Sequence, residues 1–270
     1  MISGISTVNI LGFHTSSMSR EEILSTVATW MEEKVATRHL MALNPIKVCR
    51  ARKETRLANH IMNADLVYPD AFGIAWAMRV QGLKKQEPIP GCDLMFDIMD
   101  MAAKNQKKVY LLGASSDIVR QTVDAFSKKY PGAILCGYHS GYFLNTDDEN
   151  ATISEIMTLR PDIVFVAMGA LIQENWIEKI KKEADRLRLV IPLLMGVGGS
   201  FDAVTGNVAR PPRWMLRSHL EWLYRLLQQP FRAPRMIALP TFAILTLLKH
   251  WFHMDLDYRM NVNTDLNLSC

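Results

Sequence analysis

The chain has 270 residues, 49% hydrophobic and 21% charged, with a formal net charge of +4. That suffices for one large domain or two small ones with a real core, and no stretch reaches the roughly 18–20 apolar residues of a membrane-spanning helix. The cysteines, Cys49, Cys92, Cys136 and Cys270, show neither a CxxC pair nor zinc-finger spacing, so they read as reduced thiols of a cytosolic protein.

The first 15 residues lack a basic start and a long apolar run, so no secretory signal is expected. Positions 5–11 alternate loosely and predict a strand. Ser19-Arg20-Glu21-Glu22 is a capping-box sequence, with the Ser19 hydroxyl capping a new helix and Glu22 reaching back to it. That helix runs to about 34. A short apolar strand over 39–43 stops at Asn44-Pro45. Pro45 fits the first turn of a helix, where its missing N–H costs little, and this helix runs through Lys47 to 56.

The next strand, 66–68, ends at Pro69-Asp70, and a helix over 73–80 follows. Positions 81–91 form a polar loop, and Asp93 is placed to cap a helix to about 104. A strand over 108–112 ends in Gly113-Ala114-Ser115. Then come a helix from Ser116 or Asp117 to 130, a strand over 133–137, a helix over 147–159, a strand over 162–168 and a helix over 176–183. The unbroken apolar run at 189–195 fits a strand buried on both faces, as in parallel sheets.

Strands alternating with helices predict an α/β fold with a Rossmann-like, mostly parallel sheet. Composition shifts near 209, where Arg210-Pro211-Pro212 breaks the chain. Residues 1–208 therefore read as the core, and 209–270 as a helical, basic and aromatic C-terminal appendage. Over 209–249 the cations Arg210, Arg213, Arg217, Arg225, Arg232, Arg235 and Lys249 stand against one acid, Glu221. A helix over 213–228 carries a leucine stripe. The apolar run at 236–248 contains Pro240 and is too short to span a bilayer, so it reads as interfacial or buried.

In parallel α/β sheets the carboxyl ends of the strands carry ligands. Four stretches stand at such ends: Asn44-Pro45, Pro69 to Gly73, Ala167 to Trp176, and Gly196 to Asp202. One cleft fed by these four strand ends is expected, with Gln173 and Glu174 projecting into it. Asp70 there has the chemistry of a general base toward a hydroxyl, although aspartate is also a favoured helix cap. Asn44 can bond a ligand or close a turn. Glycines after the last strand let the backbone approach a ligand closely.

Gly113-Ala114-Ser115 lacks the full GxGxxG pattern and the acidic ribose partner, so it is a weak dinucleotide signal. Arginines interleaved with Trp214, Trp222, Trp251 and Phe252 suit a membrane interface or a diphosphate clamp.

A long ordered series then gives a resemblance. It comprises Gly196-Val197-Gly198-Gly199-Ser200-Phe201-Asp202, Thr205-Gly206, Arg210-Pro211-Pro212, Leu220-Glu221-Trp222-Leu223-Tyr224-Arg225-Leu226-Leu227 and Pro230. Together with Ala167-Met168-Gly169, Gln173-Glu174, Asn44-Pro45 and Asp70, it resembles the WecG/TagA/CpsF glycosyltransferase family over roughly residues 5–235.

The resemblance implies an inverting bacterial transferase of cell-envelope or exopolysaccharide biosynthesis. Such an enzyme takes a sugar from a UDP-sugar donor and places it on a first sugar carried by a polyprenyl diphosphate acceptor. Donor sugars in the family include N-acetylmannosamine, its uronic acid and glucose. The implied base falls on Asp70, the active-site asparagine on Asn44, the active-site glutamine on Gln173, and the tail arginines on Arg225, Arg232 and Arg235. Glu174, Gly169, Gly198 and Gly199 complete the expected substrate-binding set.

No cofactor is expected, and no metal: no DxD-like motif stands near a strand end, since Asp147-Asp148 opens a helix. The tail is implied to dock the protein peripherally on the anionic inner face of the cell membrane. Nucleic acid is not an expected partner, and a homo-oligomer is open. Four positions depart from the family's usual pattern: Ala42 for a threonine, Ala71 for the glycine after the base, and Leu171-Ile172 for Pro-Lys. The last loses a positive charge and weakens the case for a uronate donor. Two rivals come from other classes: a non-catalytic peripheral membrane protein that binds lipid diphosphates, and a nucleotide-linked oxidoreductase on the same fold.

Overall fold

The computed structural model describes residues 6–206, 212, 215, 221–228 and 236–259. The chain opens with a hairpin in which β1 (Thr7–Ile10) pairs antiparallel with β2 (Phe13–Ser16). Its turn, Leu11-Gly12, has φ of 52° and 97°, the doubly positive geometry that matches strand twist in a two-residue loop. Leu-Gly is not the usual signature of that turn, and β2 was not expected from the sequence.

Alternation then builds the core. The elements in order are α1 (Arg20–Glu33), β3 (His39–Leu43), α2 (Pro45–Ala51), α3 (Thr55–Asn63), β4 (Leu66–Pro69), α4 (Ala71–Val80), α5 (Gly91–Lys104), β5 (Lys108–Gly113) and α6 (Ser116–Lys129). They continue with β6 (Ile134–His139), α7 (Thr146–Leu159), β7 (Ile163–Ala167), α8 (Ile172–Arg186), β8 (Leu193–Gly196) and α9 (Ser200–Val204). The six strands β3 to β8 form one sheet in the order β4-β3-β8-β7-β5-β6. Every neighbouring pair is parallel, so the expected α/β class holds.

Strand side chains alternate between two buried faces, as period two requires. Leu40, Ala42, Tyr68, Leu111, Phe165 and Met195 face α1, α5 and α6. Met41, Leu43 and Val67 face α2, α3 and α4, while Leu112, Val164 and Val166 face α7 and α8. The sheet is thus covered on both sides, which is why its strands read as continuous apolar runs.

Several boundaries move for local reasons. The helix expected from Pro45 to 56 is two helices, with α2 ending at Ala51 and α3 opening after Glu54. β8 begins at Leu193 rather than 189, because Pro192 has no N–H for a ladder. Pro90, not Asp93, occupies the N-cap of α5, and Asp93 lies within its first turn. The helix α8 starts at Ile172, which puts Gln173 and Glu174 on its first turn instead of in the preceding loop.

Two helices are described after residue 206: α10 (Glu221–Gln228) and α11 (Ala238–Phe252). Pro240 does not interrupt α11. It sits in the first turn, where a backbone N–H has no intrahelical partner. At 15 residues, α11 is about 22 Å long, below the roughly 30 Å of a bilayer's hydrocarbon core. No helix of the described residues is long and apolar enough to cross a membrane.

The inner face of α11 seats on α2 and α4, burying Phe242 and Thr246. The segment after it returns to the hairpin. The Tyr258 N–H donates to the Leu11 carbonyl at 3.0 Å, and its ring stacks on Phe13 at 5.3 Å. Arg52 donates to the Leu256 carbonyl at 2.6 Å. The described stretch after Met236, to residue 259, which the sequence resemblance did not reach, is therefore fastened to the hairpin and to α2.

Candidate active site

The order β4-β3-β8-β7 brings the four expected strand ends side by side at the carboxyl edge of the sheet. Asn44 follows β3, Asp70 follows β4, Gly169 follows β7, and Gly198 follows β8. This is where parallel α/β sheets bind ligands.

Asn44 is the N-cap of α2: its Oδ1 accepts from the Lys47 N–H at 2.9 Å. That leaves Nδ2 to face Asp70, and it lies 3.4 Å from Asp70 Oδ2. Asp70 stands at the N-cap position of α4 but makes no side-chain cap there. Its Oδ1 accepts instead from the Gly91 N–H, the first residue of α5, at 3.1 Å. The half-buried carboxylate is thus steered away from simple capping and held between two helix N-termini, a favourable placement for negative charge. Asp70 and Asn44, expected together, are together.

The residue after the base is strained. Ala71 has φ of 67°, in the left-handed region that a side-chain-bearing residue enters at a cost. A glycine, usual there by the resemblance, would meet that conformation freely. Leu171 has φ of 74°, which no proline can adopt. The loop before α8 therefore follows a path of its own, and Ile172 stands exposed where a lysine was the usual residue.

Gln173 and Glu174 do not project into open space as expected; they are 4% and 1% exposed. Glu174 Oε1 pairs with the Lys47 ammonium at 2.9 Å, in surroundings where the two side chains are 1% and 5% exposed. The same oxygen accepts from Gln173 Nε2 at 3.0 Å, and Oε2 accepts from the Leu171 N–H. Burial pushes the Glu174 carboxyl up, but Lys47 and Gln173 outweigh it and bring it down to about 2. Gln173 Oε1 accepts from the Gly198 N–H at 3.0 Å. Beside this group, burial drives the His39 imidazole down to about 3. The pair thus ties the ends of β3, β7 and β8 together from beneath.

Gly169 and Gly198 both have positive φ, 77° and 57°, and among the described residues nothing stands within 4 Å of where a Cβ on either would lie. Both turns therefore border open space. Gly199 is exposed and precedes α9. Arg225 lies on α10, while Arg232 and Arg235 fall outside the described residues. Among the described residues, no group of three or more His, Cys, Asp or Glu is placed to hold a metal.

Three residues were missed. Lys47 was placed only within the helix after Pro45, and the fold shows it buried against Glu174. Arg50, on α2, donates to the Ala170 carbonyl at 3.2 Å and braces the β7 loop. Tyr68 is fully buried, and its hydroxyl has no partner among the described residues. Burial, with the Asp70 charge nearby, pushes its phenol well above the ordinary range. Gly113, by contrast, has a packing role: a Cβ there would stand 2.4 Å from the Ala167 carbonyl oxygen. Ser115 caps α6, so the weak dinucleotide signal has a local structural cause.

A parallel α/β core with polar residues gathered at its strand ends defines a broad class of ligand-binding and transfer folds. Within that class the assignment is specific. The profile of the glycosyl transferase WecG/TagA/CpsF family matches residues 8–255, and the chain belongs to that family. It is 33% identical over 210 residues, 78% of each chain, to the N-acetylglucosaminyldiphosphoundecaprenol N-acetyl-beta-D-mannosaminyltransferase of Bacillus subtilis (strain 168). It is 28% identical over 241 residues to a protein of the same name from Staphylococcus aureus (strain MW2), covering 89% of this chain and 92% of that one.

Proposed function

We propose that this protein is an inverting glycosyltransferase that moves N-acetylmannosamine from a UDP-sugar onto N-acetylglucosamine carried by a polyprenyl diphosphate, in cell-envelope polysaccharide synthesis. The observation that carries the reading is Asp70: a carboxylate at the carboxyl end of β4, beside that of β3, oriented by Asn44 Nδ2 and the Gly91 N–H. The acceptor and the sugar come from the names of the relatives.

Asp70 takes the proton of the acceptor hydroxyl as its oxygen attacks the anomeric carbon. The bond to UDP breaks on the opposite face, and its electron pair leaves on the diphosphate. Arg225, Arg232 and Arg235 meet that charge in place of a divalent metal. Gly169, Gly198 and Gly199 line the donor's approach, while Gln173 and Glu174 shape the cleft from below.

The protein works docked on the inner face of the membrane, where its acceptor lies. The outward face of α11 supports this: Ile244, Trp251 and Phe252 are exposed, as interfacial residues are.

The test is UDP release with a short polyprenyl-diphosphate N-acetylglucosamine acceptor and a panel of UDP-sugars. Acceptor-dependent release with UDP-N-acetylmannosamine is expected. Asp70→Asn should lower turnover by about 10²–10⁴-fold while UDP still binds. Unchanged turnover in that variant removes Asp70 from the role. Silence across the panel, from folded protein with vesicles present, overturns the transferase reading.

A further inference from the structure

Lys47 occupies the junction of the site's two arms. It is 4% exposed, where a lysine is found only if paired and hydrogen-bonded. Its backbone N–H donates to Asn44 Oδ1 at 2.9 Å, and its ammonium donates to Glu174 Oε1 at 2.9 Å.

The first contact decides which end of the Asn44 amide can turn to Asp70: only Nδ2 is left, 3.4 Å from Asp70 Oδ2. The second anchors a carboxylate that receives Gln173 Nε2 at 3.0 Å and the Leu171 N–H. Gln173 then commits Oε1 to the Gly198 N–H at 3.0 Å. The donors around both amides thus dictate their orientations. Among the described residues, Lys47 is the one that bonds to both arms.

Stability alone explains such a pair poorly. Replacing both partners of a buried ion pair by residues without charge is often neutral or stabilising. What the pair adds here is position, because it fixes the loops after β3, β7 and β8 relative to one another.

We propose that Lys47 is a positioning residue of the transfer reaction: without touching substrate, its ammonium ties α2, whose N-cap Asn44 faces Asp70, through Glu174 and Gln173 to the Gly198 turn. This rests on the proposed transferase reading with Asp70 as base.

The deciding protein is the full-length double variant Lys47→Met/Glu174→Gln, which removes the pair without stranding a charge. Its melting temperature should match the parent's within a few degrees. Its kcat should fall on the order of 10²-fold, as misplaced reacting groups cost, with KM for the UDP-sugar within about threefold. A double variant with parental melting and parental kcat overturns the assignment. A KM rise with kcat unchanged also overturns it, because that is loss of binding and not of positioning.

If the double variant does not fold, Glu174→Gln alone decides, since Lys47 can then shed its proton and remain buried neutral. Lowered kcat at unchanged donor KM supports the positioning role, and parental kcat overturns it. The parent's own activity and the Asp70→Asn variant are measured alongside. An inactive parent defeats the transferase reading itself, and an active Asp70→Asn removes Asp70 as its base, whereas an active parent with an inert Lys47 pair defeats only this inference.

Discussion

Asn44 meets Asp70 through its amide nitrogen and not its oxygen: Nδ2 lies 3.4 Å from Asp70 Oδ2, while Oδ1 is held by the Lys47 N–H. One side chain therefore does two jobs, capping α2 and offering a donor to the base. Asn44→Asp separates them. Aspartate caps a helix as well as asparagine does, so melting should change little. The nitrogen donor, however, becomes a second carboxylate oxygen facing Asp70. Two such groups cannot both ionise freely, and one is pushed to bind a proton at higher pH. The acid limb of the kcat–pH profile should move upward. A profile that coincides with the parent's separates Asn44 from the base.

The conformation at Ala71 gives a second, opposite kind of change. A non-glycine residue at φ 67° carries about 1–2 kcal/mol of steric cost. Glycine relieves that but adds unfolded-state entropy, about 0.5–1 kcal/mol. The balance for Ala71→Gly is therefore between neutral and about 1.5 kcal/mol stabilising, read by urea denaturation. Destabilisation beyond about 1 kcal/mol would mean that position 71 is not left-handed in solution.

How much of this was legible beforehand follows from which forces act locally. The capping box at Ser19, the stop at Asn44-Pro45 and the strand ends carrying Asp70 and Gly198 are short-range signals, and the structure keeps them. That the four strand ends would be neighbours followed only from the rule that parallel sheets gather their chemistry at one edge, and the order β4-β3-β8-β7 obeys it. Lys47 and Glu174 are 127 positions apart in sequence, and no periodicity links them. The sequence therefore placed Glu174 in the cleft and gave Lys47 no role beyond its helix. The hairpin strand β2 escaped because His14, Thr15 and Ser16 carry no apolar alternation.

The buried group around Lys47 also makes a prediction about acid. Burial holds His39 down to about 3, with Glu174 and Asp65 opposing and Lys47 and Lys181 assisting. An unfolded histidine binds its proton near pH 6.5. Between about 6.5 and 3 the unfolded chain holds one more proton than the native state, so stability falls as pH falls across that window. The slope from this one group is about 1 kcal/mol per pH unit. Glu174, brought down to about 2, contributes stability above the ordinary carboxylate range that disappears at lower pH still. His39→Leu should flatten the fall between pH 6 and 5 in denaturant titrations. An unaltered slope would mean that other groups govern it.

The last prediction concerns α11, whose two faces are both apolar for different reasons. Phe242 and Thr246 turn inward, four positions apart, and are 1% and 4% exposed. Ile237, Ile244 and Trp251 recur every seven positions, which returns a helix to nearly the same side, and they are 67%, 58% and 66% exposed. A uniformly apolar run of this length reads in sequence as interfacial or buried, and here one helix does both. An exposed stripe of this kind on a surface helix marks a partner or a lipid interface. For the membrane reading, Ile244→Ser/Trp251→Ser should leave the melting temperature unchanged, since neither side chain is in the core. It should weaken partition onto anionic vesicles at least tenfold, because losing two apolar side chains from the interface costs more than about 1.4 kcal/mol. That loss should persist at high salt, which screens arginine–lipid attraction but not apolar burial. Partition equal to the parent's would remove α11 from the docking surface and leave only the arginines of the tail to provide it.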